Sequence, residues 1–403
     1  MTATRQPAVR YGSEQLDELL ARIAEGAAER ERTGTAPFEQ IGWLKEAGFG
    51  ALRIPVEEGG GGASVREFFD VLMRLSHADS NVGHLLRAHF GTVEDQLISG
   101  DAERRALWVE RVVGGALIGN GNNELTTRHA GDFAKATTLT PAGDGGFLLN
   151  GTKYYSTGTL YSDYTFVTAV TPDGMPAFVL VPTDRDGVTV EDDWDGFGQR
   201  LTATGTTRLV DVAVAPDEAF LPPADLSGLP RWHLGPFYQH YLNAVIAGNI
   251  RSVLDDAVTL VQGRRRSFTH GSADLPREDP VLLEVIGEIS ADAAAAEAIV
   301  LQTADALGAI GDSVVGGLPD DDVIHAAALR ASEAQVAIDE LGLRSANLLF
   351  EVGGASAVKQ GVNLDRHWRN IRTVASHNPA RFKNRAIAAW LVNGERLPDN
   401  TYF

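Results

Sequence analysis

The sequence predicts an α+β fold in which an antiparallel β domain stands between two helical domains. Three observations lead there. Residues 12–112 carry apolar side chains at helical spacing, and residues from about 116 to 223 break into short strands rich in β-branched and aromatic residues. Beyond Pro223 the chain returns to long helices rich in Ala and Leu. The domains so drawn are 1–115, helical; 116–225, a β-barrel-like unit; and 226–403, a helical bundle.

In the first domain, Ser13-Glu-Gln-Leu opens an amphipathic run to about Arg32, and Pro37–Ala47 makes a second helix. Gly59–Gly62 must be a loop, because four consecutive glycines are costly to order in a helix. Helices over Val65–Ser76 and Ser80–Ile98 follow, and Asp101 begins another. The first residues lack the apolar centre of a secretion signal, so the expected location is the cytoplasm.

The predicted strands are Phe147-Leu-Leu, Tyr164–Val170, Ala177–Val181 and Thr207–Val214, separated by turn-formers such as Gly143-Asp-Gly-Gly and Pro172-Asp-Gly. Asn150-Gly151 reads as a tight hairpin turn. Val210, Val212 and Val214 fall on one face of the last strand, Asp211 and Ala213 on the other. Helices over Tyr238–Gln262, Pro280–Leu307, Asp320–Val352 and Ala380–Val392 complete the bundle.

Composition removes several function classes. The 403 residues include no cysteine, which excludes disulfides, thiolate metal sites and a cysteine nucleophile. With 35 Lys and Arg against 54 Asp and Glu, the formal charge of −19 argues against nucleic acid or an anionic membrane surface as partner. No unbroken run of 18 apolar residues offers a membrane span. His77 and His84 share a helical face, but two histidines do not make a metal centre, and no metal site is expected.

Several segments, taken in order, resemble the acyl-CoA dehydrogenase superfamily across nearly the whole chain. Ile54-Pro-Val-Glu-Glu-Gly-Gly-Gly-Gly-Ala-Ser64 is similar to its glycine-rich loop, and Asn150-Gly-Thr-Lys-Tyr-Tyr-Ser-Thr-Gly158 to its flavin-facing strand. Val210-Asp-Val-Ala-Val-Ala-Pro216 resembles the closing strand of its β domain. Leu364-Asp-Arg-His-Trp-Arg-Asn-Ile-Arg-Thr-Val-Ala-Ser-His-Asn-Pro379 resembles the motif of the flavin monooxygenases that share this fold, the dibenzothiophene monooxygenase branch among them. Gly119-Asn120 and Glu124 point to the same branch.

This resemblance implies a flavin between the β domain and the bundle, in a homo-oligomer expected to be a tetramer. It implies catalytic roles for His89, Asn120, Thr157 and His377, with His89 facing the substrate cavity. Cofactor contacts are implied for Asn120, Asn122, Ser156, Thr157, Trp194 and His377, and for Arg266, Phe268 and Ser356 toward a neighbouring subunit's flavin. The activity implied is that of a two-component monooxygenase. A separate NAD(P)H-dependent reductase supplies FMNH2 or FADH2, O2 adds at the flavin C4a, and a small apolar or heteroatom-containing substrate is oxygenated. The alternative, an FAD-dependent acyl-CoA dehydrogenase, needs a carboxylate base. Its usual places align with Ala375-Ser-His-Asn378 and with His240-Tyr241, which offer none.

Overall fold

The structure, a computed structural model, describes residues 8–98, 102–125, 135–143, 145–222 and 232–403. The N-terminal helices are α1 (Glu14–Ala24), α2 (Ala27–Thr33), α3 (Phe38–Glu46), α4 (Val65–Ala78), α5 (Ser80–Leu85), α6 (Arg87–Ile98) and α7 (Ala102–Val113). Two breaks depart from the sequence reading. The run expected to reach Arg32 is divided at Gly26, whose left-handed backbone ends one helix and starts the next. The helix expected over Ser80–Ile98 is divided at Leu86, where no glycine, proline or capping residue marks the break. Asp101, the expected start of the last of these helices, lies outside the described residues, as do Asp144 and the boundary at 225/226.

Eight strands follow among the described residues: β1 (Ile118–Gly121), β2 (Thr138–Pro141), β3 (Phe147–Lys153), β4 (Tyr164–Val170), β5 (Pro176–Pro182), β6 (Val188–Val190), β7 (Thr207–Val214) and β8 (Ala219–Phe220). They form one sheet in the order β6-β7-β3-β2-β4-β5-β8, with β1 added beside β4. The sheet is mixed, which corrects the antiparallel expectation: β1 and β2 both run parallel to β4. β1 pairs with Tyr164–Val167, and β2 touches β4 only at Val170, so the ladder is interrupted between them.

A buried ion pair fills that interruption. Lys153 donates to Glu124 Oε1 and to Thr168 O, each at 2.6 Å, and Glu124 also accepts from Thr137 and the Ala136 N–H. Burial disfavours the charged carboxylate, but these bonds outweigh it and hold Glu124 at about 2. Asn150-Gly151 is not a hairpin turn. β3 runs straight through it, and the pairing with β7 shifts register there. The bulge also explains Val210, which is 63% exposed while Val212 and Val214 are buried. Asp211 sits at φ 49°, so the alternation changes phase between Val210 and Val212.

The remaining helices are α8 (Leu234–Gly263), α9 (Pro280–Asp312), α10 (Asp321–Gly353), α11 (Asp365–Ala375) and α12 (Ala380–Asn393). Asp279 and Asp320 cap α9 and α10 by accepting from first-turn N–H groups. By length and composition alone α9 could cross a membrane, yet it packs between α8 and α10 and buries Asp292 against Arg344. The helical regions on either side of the sheet share one core. Phe68 and Phe69 of α4, Phe90 of α6, and Phe237 and Tyr241 of α8 pack ring on ring within it. Each such buried ring contributes roughly 2–3 kcal/mol.

The three regions meet at Glu31 of α2, which is 3% exposed. Glu31 Oε2 accepts from Asn81 Nδ2 (2.8 Å) on α5 and Asn370 Nδ2 (2.9 Å) on α11. The carbonyls of the same two amides accept from the backbone N–H groups of Leu201 (3.1 Å) and Gln199 (2.6 Å), in the segment before β7. Removing the carboxylate leaves two buried amides without an acceptor. Glu31→Ala is expected to lower unfolding free energy by about 3 kcal/mol in denaturant titration. Glu31→Gln, which keeps one oxygen able to accept both bonds, should cost about 1 kcal/mol. Equal losses for the two would contradict this role.

Candidate active site

An open cleft lies between the sheet and the bundle. Its sheet side is formed by Asn120, Asn122, Asn123 and Thr157, and its helical side by Arg87, Ala88, Trp232, Tyr238, His377, Thr401 and Tyr402. No carboxylate is among these lining residues.

The sheet side is shaped by the interrupted ladder. Asn120 lies near the end of β1, and Asn122 and Asn123 follow where β1 gives way to β2. What the sequence presents as one polar turn is therefore part strand. Asn120 is fixed by its N–H on Thr159 Oγ1 (2.9 Å) and its amide on Tyr155 O (3.0 Å). Thr157 follows β3 and precedes Gly158, which has φ 78° and backs onto Leu85 O with no room for a side chain.

The Thr157 hydroxyl belongs to a chain whose direction can be read. Thr202 Oγ1 donates to the Gln199 carbonyl (2.8 Å), which can only accept. Thr204 must then donate to Thr202 (2.7 Å), and Thr157 to Thr204 (2.9 Å). Each hydroxyl has one proton, so Thr157 has none left and faces a ligand as an acceptor. Asn122 Oδ1 is a second acceptor, buried and without a partner among the described residues. Two acceptors and an amide on one wall fit the N–H and C=O groups along a flavin ring edge.

On the helical side, Arg87 donates from Nε to Tyr238 O (3.0 Å) and from NH1 to His377 Nε2 (3.0 Å). A guanidinium has no lone pair to offer, so His377 Nε2 accepts, the ring is neutral, and Nδ1 carries the proton. The ring faces the cleft. Packing around it, with Arg87, His84 and Lys383 nearby, keeps its pKa well below the ordinary imidazole value although the residue is exposed to the cleft. Thr401 and Tyr402 are held in the wall by Gln239 Nε2 on Thr401 O (2.7 Å), Asn378 Nδ2 on Tyr402 O (2.9 Å), and Lys383, which also donates to Tyr402 O.

Of the residues singled out from sequence, the cleft brings together Asn120, Asn122, Thr157 and His377. The others lie elsewhere. His89 is fully buried, and the expectation that it faces the cavity is corrected: Nδ1 accepts from Ile118 N–H (3.3 Å), leaving Nε2 to donate to Gly50 O (2.9 Å). Ser156 is buried beneath the wall, its N–H on Gly205 O (2.9 Å) and its hydroxyl without a partner among the described residues. Trp194 donates to Gln199 O (3.0 Å) and meets the edge of Tyr155, outside the lining. Arg266, Phe268 and Ser356 are exposed, with Phe268 against Gly354.

The sequence reading missed Arg87, Trp232, Tyr238 and Tyr402, and the closeness of His84. Burial and Arg87 hold His84 at about 4; it lies near enough to His377 to affect its charge, and its Nδ1 is 3.2 Å from Gln199 Oε1. One signal was available, a charged residue inside the apolar helical stretch Val82-Gly-His-Leu-Leu-Arg-Ala-His-Phe90.

The site can be set beside known proteins. Profiles of the acyl-CoA dehydrogenase N-terminal, middle and C-terminal domains match residues 10–116, 125–212 and 241–382. A dibenzothiophene monooxygenase of Mycolicibacterium goodii is 29% identical over 94% of this chain and 93% of its own. The probable FMNH2-dependent monooxygenase SfnC of Pseudomonas putida is 28% identical over 96% and 95%. The crystal structure of FMN-bound TdsC from Paenibacillus sp. A11-2 superposes with a TM-score of 0.89 at 27% identity, covering 97% of this chain and 100% of that one. With its three domain profiles in order and monooxygenases of the same length beside it, the chain belongs to the acyl-CoA dehydrogenase superfamily, in its flavin-dependent monooxygenase branch.

Proposed function

We propose that the chain is the oxygenase of a two-component system. A separate NAD(P)H-dependent reductase supplies FMNH2 or FADH2, and one atom of O2 passes to a small apolar or heteroatom-containing substrate. The observation that carries this reading is the chemistry of the cleft wall: hydroxyl, amide and neutral imidazole, with no carboxylate among the lining residues. The reductase is supported by SfnC's description as FMNH2-dependent. It is supported too by the lack of a βαβ nucleotide-binding unit among the described residues.

Bound reduced flavin supplies the electrons that activate O2. Thr157 and Asn122 would accept hydrogen bonds from the ring edge, and the Asn120 amide holds Tyr155 O. Neutral His377 keeps a proton on Nδ1 that it can donate to a developing oxyanion, while Arg87 fixes its tautomer. Trp232, Tyr238 and Tyr402 keep water from the reacting centre. The acyl-CoA dehydrogenase reading lacks its base here. His240 bonds Val300 O, Tyr241 bonds Gly83 O, and Glu124 is committed to Lys153.

Self-association, with a tetramer as the expected state, is supported by apolar side chains left on the bundle surface, Val281 and Leu283 on α9 and Leu391 and Val392 on α12. In the single chain Arg266, Phe268 and Ser356 are exposed, which leaves them open to a neighbouring copy's flavin.

With 18O2, reduced FMN and an accepted substrate, mass spectrometry should find one labelled oxygen in the product; unlabelled product would refute oxygen transfer. Thr204→Val frees the Thr157 proton to donate. The ratio of reduced to oxidised FMN affinity should fall roughly fivefold, the worth of one hydrogen bond near 1 kcal/mol; an unchanged ratio contradicts the acceptor role. Because the depressed imidazole pKa keeps His377 neutral until the pH falls well below the ordinary value, Arg87→Met should move its protonation upward toward 6.5. The acid limb of activity should rise with it. An NMR titration in which the His377 resonance does not move between the two proteins would contradict this.

A further inference from the structure

The cleft carries positive charge that its surroundings leave unbalanced. The groups of acidic type that bear on Arg87 are the hydroxyls of Tyr238, Tyr402 and Tyr241, and burial or enclosure raises the pKa of all three, so they are uncharged. Among the described residues no carboxylate lies within ion-pairing distance of Arg87, although the whole chain has a formal charge of −19. Its Nε and NH1 are committed to Tyr238 O and His377 Nε2, and its guanidinium lies 5.2 Å from the centre of the Tyr238 ring. NH2 has no protein partner among the described residues.

Behind the wall, Lys383 repeats the pattern. It is fully buried, donates to Tyr402 O, lies 3.8 Å from the centre of the Phe403 ring, and has no carboxylate partner among the described residues. Burial lowers its pKa to about 7. A half-buried guanidinium without a counter-ion is partly desolvated, and a ligand that supplies the missing charge recovers that cost on binding. With Nε and NH1 taken, NH2 is left to donate a charge-assisted hydrogen bond to an oxyanion.

We propose that Arg87 determines the specificity of this cleft and that the substrate is a small aromatic acid. Its carboxylate-type oxyanion pairs with Arg87 NH2, and its ring packs on Trp232, Tyr238 and Tyr402. This rests on the reading of the cleft as the substrate side of a flavin site. Its test, however, uses neither reduced flavin turnover nor oxygen, so either idea can fail while the other stands. The rival occupant for the charge is the anion of reduced flavin itself.

Calorimetric titration of the flavin-free wild-type protein with benzoate and with its neutral isostere benzamide should show benzoate binding roughly tenfold to a hundredfold tighter, the worth of a charge-assisted hydrogen bond. Arg87→Gln should reduce benzoate to the benzamide level while leaving benzamide and reduced FMN affinities in place, and Arg87→Lys should keep part of the preference. Equal binding of both compounds, or binding of neither, by the wild-type protein overturns the proposal without recourse to a variant. So does a benzoate preference that survives in Arg87→Gln, or a loss in that variant confined to reduced FMN.

Discussion

The site exists because one buried carboxylate, Glu31, holds two asparagine amides by their N–H groups and turns their carbonyls toward the β domain. Those carbonyls take the N–H groups of Gln199 and Leu201, fixing the segment that leads to Thr202 and Thr204. Gln199 in turn gives its carbonyl to Thr202 and Trp194 and its side chain to His84 and Ser80. The hydroxyl chain that ends at Thr157 therefore begins in a contact made by three parts of the fold at once. Buried polar networks of this kind specify a single arrangement because each member is expensive to leave unpaired.

The same reasoning separates support from chemistry within the long motif at 365–379. Arg366 pairs with Asp256, Arg369 with Asp365 and Glu31, and Asn370 with Gln199 and Glu31. These residues dock α11 onto its neighbours. His377, two residues beyond the helix, is the member that reaches the cleft. Similarly, in Asn150–Gly158, Lys153 mends the interrupted sheet with Glu124, Gly158 permits the close approach to Leu85, and Thr157 alone lines the cleft.

Much of this was legible in the sequence. Helical periodicity located four of the five described bundle helices to within about five residues at either end, since their apolar faces pack on one core, and the order of motifs brought Asn120, Asn122, Thr157 and His377 to one place. What was misread has local causes. Asn150-Gly151 has the composition of a turn, but the pairing of β3 with β7 carries the strand through it as a bulge. His89 is as polar as His84, and only the break at Leu86 decides which faces inward to backbone and which lies toward His377. Tyr402 and Trp232 come from segments without periodicity, and they are held at the cleft by contacts 24 and 167 residues away in the chain.

A cleft whose sheet wall and facing His377 are neutral hydrogen-bonding groups, with no carboxylate among its lining residues to take a proton from carbon, is the claim on which the rest stands. A crystal structure of the protein with FMN tests it directly. The account predicts the isoalloxazine between the Asn120–Asn123 and Thr157 wall and His377, with Thr157 Oγ1 in hydrogen-bonding contact with the ring. A flavin bound elsewhere, or an aspartate or glutamate lying over the ring, would contradict it.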